Sequence, residues 1–92
     1  MIWRLEYSDK ARKQLQKFDA IQRTIIISWL DKNIDGCENP RYHGKGLVAN
    51  RSKEWRYRIG DYRVLCYIQD DTLVVLAFNI AHRSKVYGKK RG

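Results

Sequence analysis

The sequence predicts an α+β fold, an antiparallel β-sheet carrying an N-terminal helical hairpin on one face, in the order β-α-α-β-β-β-β. Two changes of hydrophobic period, and the turn chemistry between them, carry that prediction. Apolar residues alternate with a period of two over 2–7, take helical spacing over 11–33, and return to period two beyond residue 46. At the junctions lie Ser8-Asp9, Asp19 and Asp35-Gly36-Cys37-Glu38-Asn39-Pro40, residues that cap helices or turn the chain. A single domain over 1–92 accounts for the length, because independent domains run about 50–200 residues.

Each element follows in order. Ile2, Arg4 and Glu6 alternate with Trp3, Leu5 and Tyr7, a first strand. Ser8-Asp9 caps a helix over Ala11 to Phe18, with Ala11, Leu15 and Phe18 at helical spacing. Asp19 caps a second helix from Ala20 to about Asn33, whose apolar face is Ile21, Ile25, Ile26, Trp29 and Leu30. Gly44 and Gly46 extend an irregular connection, Leu47 to Asn50 reads as a short strand, and Arg51-Ser52-Lys53 as a turn. Trp55, Tyr57 and Ile59 then alternate with Arg56 and Arg58 up to Gly60-Asp61. From Tyr62 to Gln69, Val64, Cys66 and Ile68 lie on one side and Arg63, Leu65 and Tyr67 on the other. Asp70-Asp71 is a tight hairpin turn, and Thr72 to Ile80 is the most apolar strand, expected to be central. The chain leaves the sheet over Ala81 to Tyr87, and residues 88–92 form a mobile basic tail. Trp3, Trp29 and Trp55 are expected in the core.

Composition narrows the function classes. Hydrophobic residues at 43% and aromatics at 12% suffice for a packed core, which excludes wholesale disorder. No apolar run approaches the roughly 18–20 residues that span a bilayer, so no membrane partner is expected. The start MIWRLEY lacks a basic-then-apolar leader, which points to a cytoplasmic chain. Cys37 and Cys66 are too few for a disulfide framework and match no zinc spacing, so neither metal nor cofactor is expected. The sequence has no P-loop, no dinucleotide-binding glycine pattern, no HExxH and no serine-triad order.

Charge is the informative feature. Nineteen Lys and Arg against ten Asp and Glu give +9, unevenly spread. Residues 41–63 carry seven basic and two acidic side chains, and residues 82–92 carry five basic and no acidic ones. Such polarisation suits a polyanion, because neutralising phosphates releases counterions. A merely soluble basic surface and an acidic protein partner fit the same numbers. Within the basic stretch, Trp55-Arg56-Tyr57-Arg58 and Tyr62-Arg63 interleave cations with aromatics, and His82-Arg83 and Tyr87 follow near the end. Arg56 and Arg58 share one face of their strand, which fits a phosphate-binding cleft and equally the solvated side of a half-buried strand. Arg63, inside an apolar strand, reads as a site residue or as the partner of Glu54 or Asp61. His82 reads as a proton carrier or a capping histidine. Tyr87 reads as a core anchor, a base-stacking group or a proton carrier, and His43 receives no role.

The opening IWRLEYSDKARKQLQKFD, the NP turn followed by GKGL, and WRYRIGDYRVLCYIQDDTLVVLAFNIAHRSKVY together resemble the bacterial RelE/ParE superfamily of toxins from toxin–antitoxin pairs, over roughly residues 2–87. The resemblance implies a sheet wrapped by a helical hairpin, a RelE/ParE-like fold. It also implies one of two activities: RelE-like members cleave messenger RNA in the ribosomal decoding site, whereas ParE-like members inhibit DNA gyrase without a nuclease site. The RelE-like branch is the expectation here. By that match Arg63, His82, Arg83 and Tyr87 would be catalytic, and Arg56 and Arg58, with Lys45, Lys53, Lys89 and Lys90, would bind RNA. The family's strand lysines are Arg56 and Arg58 here, and Arg does not readily give up a proton. The interval from the last strand to Tyr87 is shorter than in the best-known RelE pattern, so the Arg83 match depends on where a gap is placed. The implied partners are an acidic antitoxin and either the ribosome with its messenger RNA or DNA gyrase. The implied chemistry is metal-free: a 2′-hydroxyl attacks the adjacent phosphorus while guanidiniums stabilise the developing charge and His82 or Tyr87 moves a proton.

Overall fold

The structure, a computed structural model, describes residues 1–46 and 53–86. The expected strand over 47–50, most of the turn after it, Tyr87 and the 88–92 tail with Lys89 and Lys90 lie outside the described residues. Among the described residues no helix is long and apolar enough to cross a membrane.

Strand β1 spans Arg4–Tyr7, helix α1 Asp9–Lys17 and helix α2 Ala20–Asn33. Ser8 caps α1 by accepting the Ala11 N–H at 3.1 Å, and Asp19 caps α2 by accepting the Gln22 N–H at 2.8 Å. The Arg23 guanidinium donates to the Phe18 carbonyl at 3.1 Å, satisfying a group that the end of α1 leaves unpaired. Of the apolar face expected on α2, Ile26 and Leu30 are fully buried, but Ile21 is 72% and Ile25 47% exposed. The helix meets the core through Ile26, Leu30 and the following Ile34, a row at i, i+4, i+8. Ile21 and Ile25 belong to the neighbouring row, turned by about 100°, and so face outward.

After a 3-10 turn at Pro40–Tyr42 come strands β2 (Lys45–Gly46), β3 (Glu54–Ile59), β4 (Tyr62–Gln69) and β5 (Val74–His82), then a short helix α3 (Arg83–Val86). They form one five-stranded sheet in the order β1-β5-β4-β3-β2. The sheet is mixed rather than wholly antiparallel: β1 runs parallel to β5, with Leu5 opposite Val75, while the other pairs are antiparallel. Side-chain alternation reports which face a residue takes and is blind to strand direction. The long connection through the helices and β2–β4 is what permits the parallel pair. The outer edge of β1 is closed by the segment after α2, where Gly36 N–H donates to the Trp3 carbonyl at 2.8 Å and Leu5 N–H to the Asp35 carboxylate at 3.0 Å.

Two boundaries differ from expectation. The turn before β5 takes four residues, Asp70 to Leu73, with Leu73 in the left-handed region at φ 56°. Strand β5 also runs past Ile80, pairing Tyr62 with His82. A bulge opposite Leu65/Cys66 lets both Ala77 and Ile80 face the core. Tyr57, Ile59, Val64, Cys66, Ile68 and Val75 join them against Ala11, Leu15, Ile26 and Leu30. Each fully buried aliphatic side chain is worth about 1.5–3 kcal/mol of transfer free energy. Trp3 is in this core, whereas Trp29 and Trp55 are only partly buried at its margin. The alternate residues of β3 and β4, including Arg56, Arg58 and Arg63, stand on the other face of the sheet.

Candidate nucleic-acid interface

Among the described residues, strand β2 is two residues long and pairs with Trp55 and Arg56 of β3 at one edge of the sheet. Alternation puts Arg56 and Arg58 on one face there, and the β3–β4 register sets Arg58 directly opposite Arg63. Like charges in that position repel. Around this edge lies a cleft of about 290 Å³ lined by Trp29, His43, Gly44, Lys45, Arg56, Arg58 and Arg63. Among the described residues the lining holds three guanidiniums and one ammonium, and no carboxylate. The Arg63 guanidinium is held below its ordinary pKa, first by burial and then by the charges of Arg56, Arg58 and Arg83. It stays charged at any physiological pH, so the cleft is a preformed concentration of positive charge.

The near wall of the cleft is a loop whose shape is fixed from beneath. The Asn39 side chain caps the 3-10 turn by accepting the Arg41 N–H at 3.0 Å. The hydroxyl of the fully buried Tyr57 donates to the Pro40 carbonyl at 2.5 Å, and the Trp55 indole N–H to the His43 carbonyl at 2.6 Å. Arg41 makes a bidentate pair with Asp70 at 2.9 and 3.0 Å, and its guanidinium lies 5.9 Å from the Trp55 ring centroid. Gly44 closes the loop at φ +80°, and a Cβ there would run into the Arg56 carbonyl and the Trp55 and Tyr57 rings. Only glycine lets the loop lie this close to β3.

The structure brings together part of the expected site. Lys45, Arg56, Arg58 and Arg63 share the cleft, and Arg83, exposed at the start of α3, is near enough to act on the charge of Arg63. His82 is elsewhere. It pairs with Tyr62 on the side of the sheet that α1 covers, its ring 5.5 Å from Tyr62 and edge-on. There it lines a different cleft with Gln14, Lys17, Phe18, Tyr62, Ile80 and Ala81. Its Nδ1 accepts the Ser84 N–H at 3.2 Å and lies 3.0 Å from the Ser84 hydroxyl, so the imidazole caps the turn that presents Arg83. Lys53 is exposed in the turn before β3 and does not line the cleft. His43, given no role from sequence, lines the cleft instead. The signal available was slight, a histidine between the NP turn and a glycine; its meaning lies in the links from Tyr57 and Trp55.

Comparison with known proteins fits this geometry to a class: toxins of toxin–antitoxin systems. The model of the ParE toxin of the type II toxin–antitoxin system, parDE, matches residues 5–87. The chain belongs to this ParE toxin family, within the RelE/ParE superfamily, and is a toxin of a type II toxin–antitoxin system. Similar solved structures include the RelBE2 toxin–antitoxin complex from Mycobacterium tuberculosis, at TM-score 0.78 and 22% identity over 90% of this chain and 100% of that one. The isolated E. coli RelE toxin superposes at TM-score 0.68 with 18% identity, covering 92% and 90% of the two chains. The RelE–RelB complex from Pyrococcus horikoshii gives 0.69 and 18%, covering 94% and 100%. These likenesses establish the α+β fold with two helices on a five-stranded sheet. A comparison with curated protein sequences returns no match.

Proposed function

We propose that this toxin is a metal-independent endoribonuclease that cuts messenger RNA in the ribosomal A site and so stops translation. The observation that carries the reading is the cleft of Lys45, Arg56, Arg58 and Arg63, where like charges are assembled at the sheet edge. A phosphodiester entering it would meet donors already fixed in place. When the 2′-hydroxyl attacks phosphorus, negative charge grows on the non-bridging oxygens, and fixed guanidiniums stabilise that charge more than the ground state. Arg63 is the best placed, because it is partly buried and its field is less screened than that of an exposed cation. Arg83 would complete the charge, held by the His82–Ser84 cap. Arg56 and Arg58 would bind the flanking phosphates, and Lys53, Lys89 and Lys90 would add affinity. Tyr87, by the family resemblance, would move a proton. The requirement for a 2′-hydroxyl restricts cutting to RNA. Dependence on the ribosome follows because it can hold a codon in the in-line geometry that this small site does not itself impose.

The same reading places the toxin in the cytoplasm, paired with an antitoxin. The M. tuberculosis and P. horikoshii structures are toxin–antitoxin complexes. The cationic face calls for an acidic segment that folds on it, and such binding weakens with salt.

The name of the matching family favours a second reading, inhibition of DNA gyrase, in which the arginines make protein contacts. Primer-extension mapping of messenger RNA with ribosomes present, run beside a gyrase supercoiling assay, separates the two. Toxin-dependent cuts within codons support the nuclease. Intact message together with blocked supercoiling overturns it.

A further inference from the structure

We propose that His43 is the general base of this cleavage, taking the proton from the attacking 2′-hydroxyl; the inference rests on the endoribonuclease reading. A donor and acceptor inventory of the cleft leads to it. Arginine, lysine and the tryptophan indole only donate hydrogen bonds, and glycine has no side chain. Among the described residues that line the cleft, His43 therefore has the only side chain with a lone pair to accept a proton. Imidazole is also the side chain whose ordinary titration falls between pH 5 and 8.

Geometry supports the same residue. The His43 ring is edge-on to Trp29 at 5.4 Å and to Tyr42 at 5.1 Å, and Trp29 in turn packs on Tyr57 at 5.7 Å. An imidazole set between two rings, on a loop tied to buried Tyr57 and to Trp55, is held in place before substrate arrives. The guanidiniums that would receive the phosphate stand across the same cleft.

In the step, the 2′-oxygen uses a lone pair to form a bond to phosphorus, and its proton passes to the neutral imidazole. The bond from phosphorus to the 5′-oxygen breaks, the electron pair leaves with that oxygen, and water protonates it. The products are a 2′,3′-cyclic phosphate and a 5′-hydroxyl, and His43 returns its proton to solvent. The charged groups that share the cleft with His43 are Lys45 from β2, Arg56 and Arg58 from β3, and Arg63 from β4. On its other side Cys37, Glu38 and Tyr42 line a second cleft with it, and Arg41 lies between Glu38 and Tyr42 in the chain.

Single-turnover cleavage on saturating programmed ribosomes tests this, with wild type, His43→Gln and Arg63→Ala compared from pH 5 to 8. Circular dichroism and thermal unfolding verify that each variant folds. The wild-type rate should rise with pH as the base loses its proton. His43→Gln should be slower by about 10²–10⁴-fold and lose that rise. A message with sulfur as the 5′ leaving atom needs no acid, so it should leave His43→Gln slow. A pH-independent wild-type rate, which needs no variant to fold, overturns the proposal. So does a wild-type-like rate for His43→Gln, or its rescue by the sulfur leaving group. If Arg63→Ala is slow while His43→Gln is not, the nuclease reading stands and only the base is wrong. If the wild type makes no cuts, the nuclease reading falls and the base assignment with it.

Discussion

At the β2–β3 edge, a cleft is lined by Lys45, Arg56, Arg58 and Arg63; beside α1, another is lined by Gln14, Phe18, Tyr62 and His82. The same strand, β4, feeds both. Tyr62 turns toward Phe18, with ring centroids 4.9 Å apart, while Arg63 turns the other way to face Arg58 across the register. His82 and Arg83 are likewise adjacent in sequence and divided in space: one pairs with Tyr62, the other lies within electrostatic reach of Arg63. Period-two alternation divides Tyr62 from Arg63, and the change from β5 to α3 between His82 and Arg83 divides the second pair. Conversely, His43 and Arg63, twenty positions apart, share one cleft. The difference teaches that adjacency in a basic motif is no measure of shared chemistry in a sheet.

The largest effect that bears on this contrast is structural. Tyr57 is fully buried beneath the cationic cleft and holds its loop, whereas Tyr62 is only half-buried. Tyr57→Ala should cost about 3–5 kcal/mol in urea unfolding, and Tyr62→Ala clearly less. Equal losses would mean that the two clefts rest on the core alike. Next comes chemistry. Arg63→Ala should slow single-turnover cleavage by about 10²–10³-fold, Arg83→Ala should approach it, and His82→Ala should slow it less than either. A His82→Ala rate as low as that of Arg63→Ala would break the division between the clefts.

A milder change sharpens the account of the loop. Tyr57→Phe keeps the ring but leaves the Pro40 carbonyl without its donor, at a cost of about 1–3 kcal/mol by the same unfolding measurement. Within the cationic cleft, Arg56→Ala or Arg58→Ala should mainly weaken RNA binding, lowering the slope of log affinity against log salt by about 0.7. An unchanged slope would remove these two from the phosphate contacts. The smallest effect concerns the clasp between Arg41 and Asp70, whose side chains are 32% and 49% exposed. The hydrogen bond from Arg41 holds the Asp70 carboxyl below its ordinary pKa, against the opposing effect of burial. The stabilisation is therefore complete above the unfolded carboxyl value of about 3.9 and is lost as pH falls through the lowered folded value. Asp70→Asn should remove no more than about 1 kcal/mol at pH 7, and nothing below that window, as read by urea midpoints at both pH values.

Much of the fold was legible locally. Ser8 and Asp19 cap the helices that they precede, and Val64, Cys66 and Ile68 face the core as their alternation requires. Arg56, Arg58 and Arg63 were legible as cations on strands and Lys45 as a cation in the glycine-flanked connection, and the structure places the four in one cleft, with Lys45 on β2. Other features depended on partners distant in the chain. Whether Ile21 or Ile26 is buried depends on which row of α2 meets the sheet, and both rows are apolar. The end of β5 depends on Tyr62 reaching across to His82. His43 was invisible as a site residue because what places it, Tyr57 on Pro40 and Trp55 on its own carbonyl, spans more than ten residues in each case.

By itself the sequence determined the period of the main elements, the helix caps, the sign of the charge and the strand face on which Arg56, Arg58 and Arg63 stand. These are local properties, set by 3.6-fold or two-fold backbone geometry and by the side chains nearest in the chain. Tertiary structure alone decided that β1 runs parallel to β5, that His82 parts from Arg63, and that His43 joins the arginines. Each of those depends on which strands become neighbours and how a loop seats on them. That choice is made by burial over the whole chain, because no single segment can bury its own apolar face.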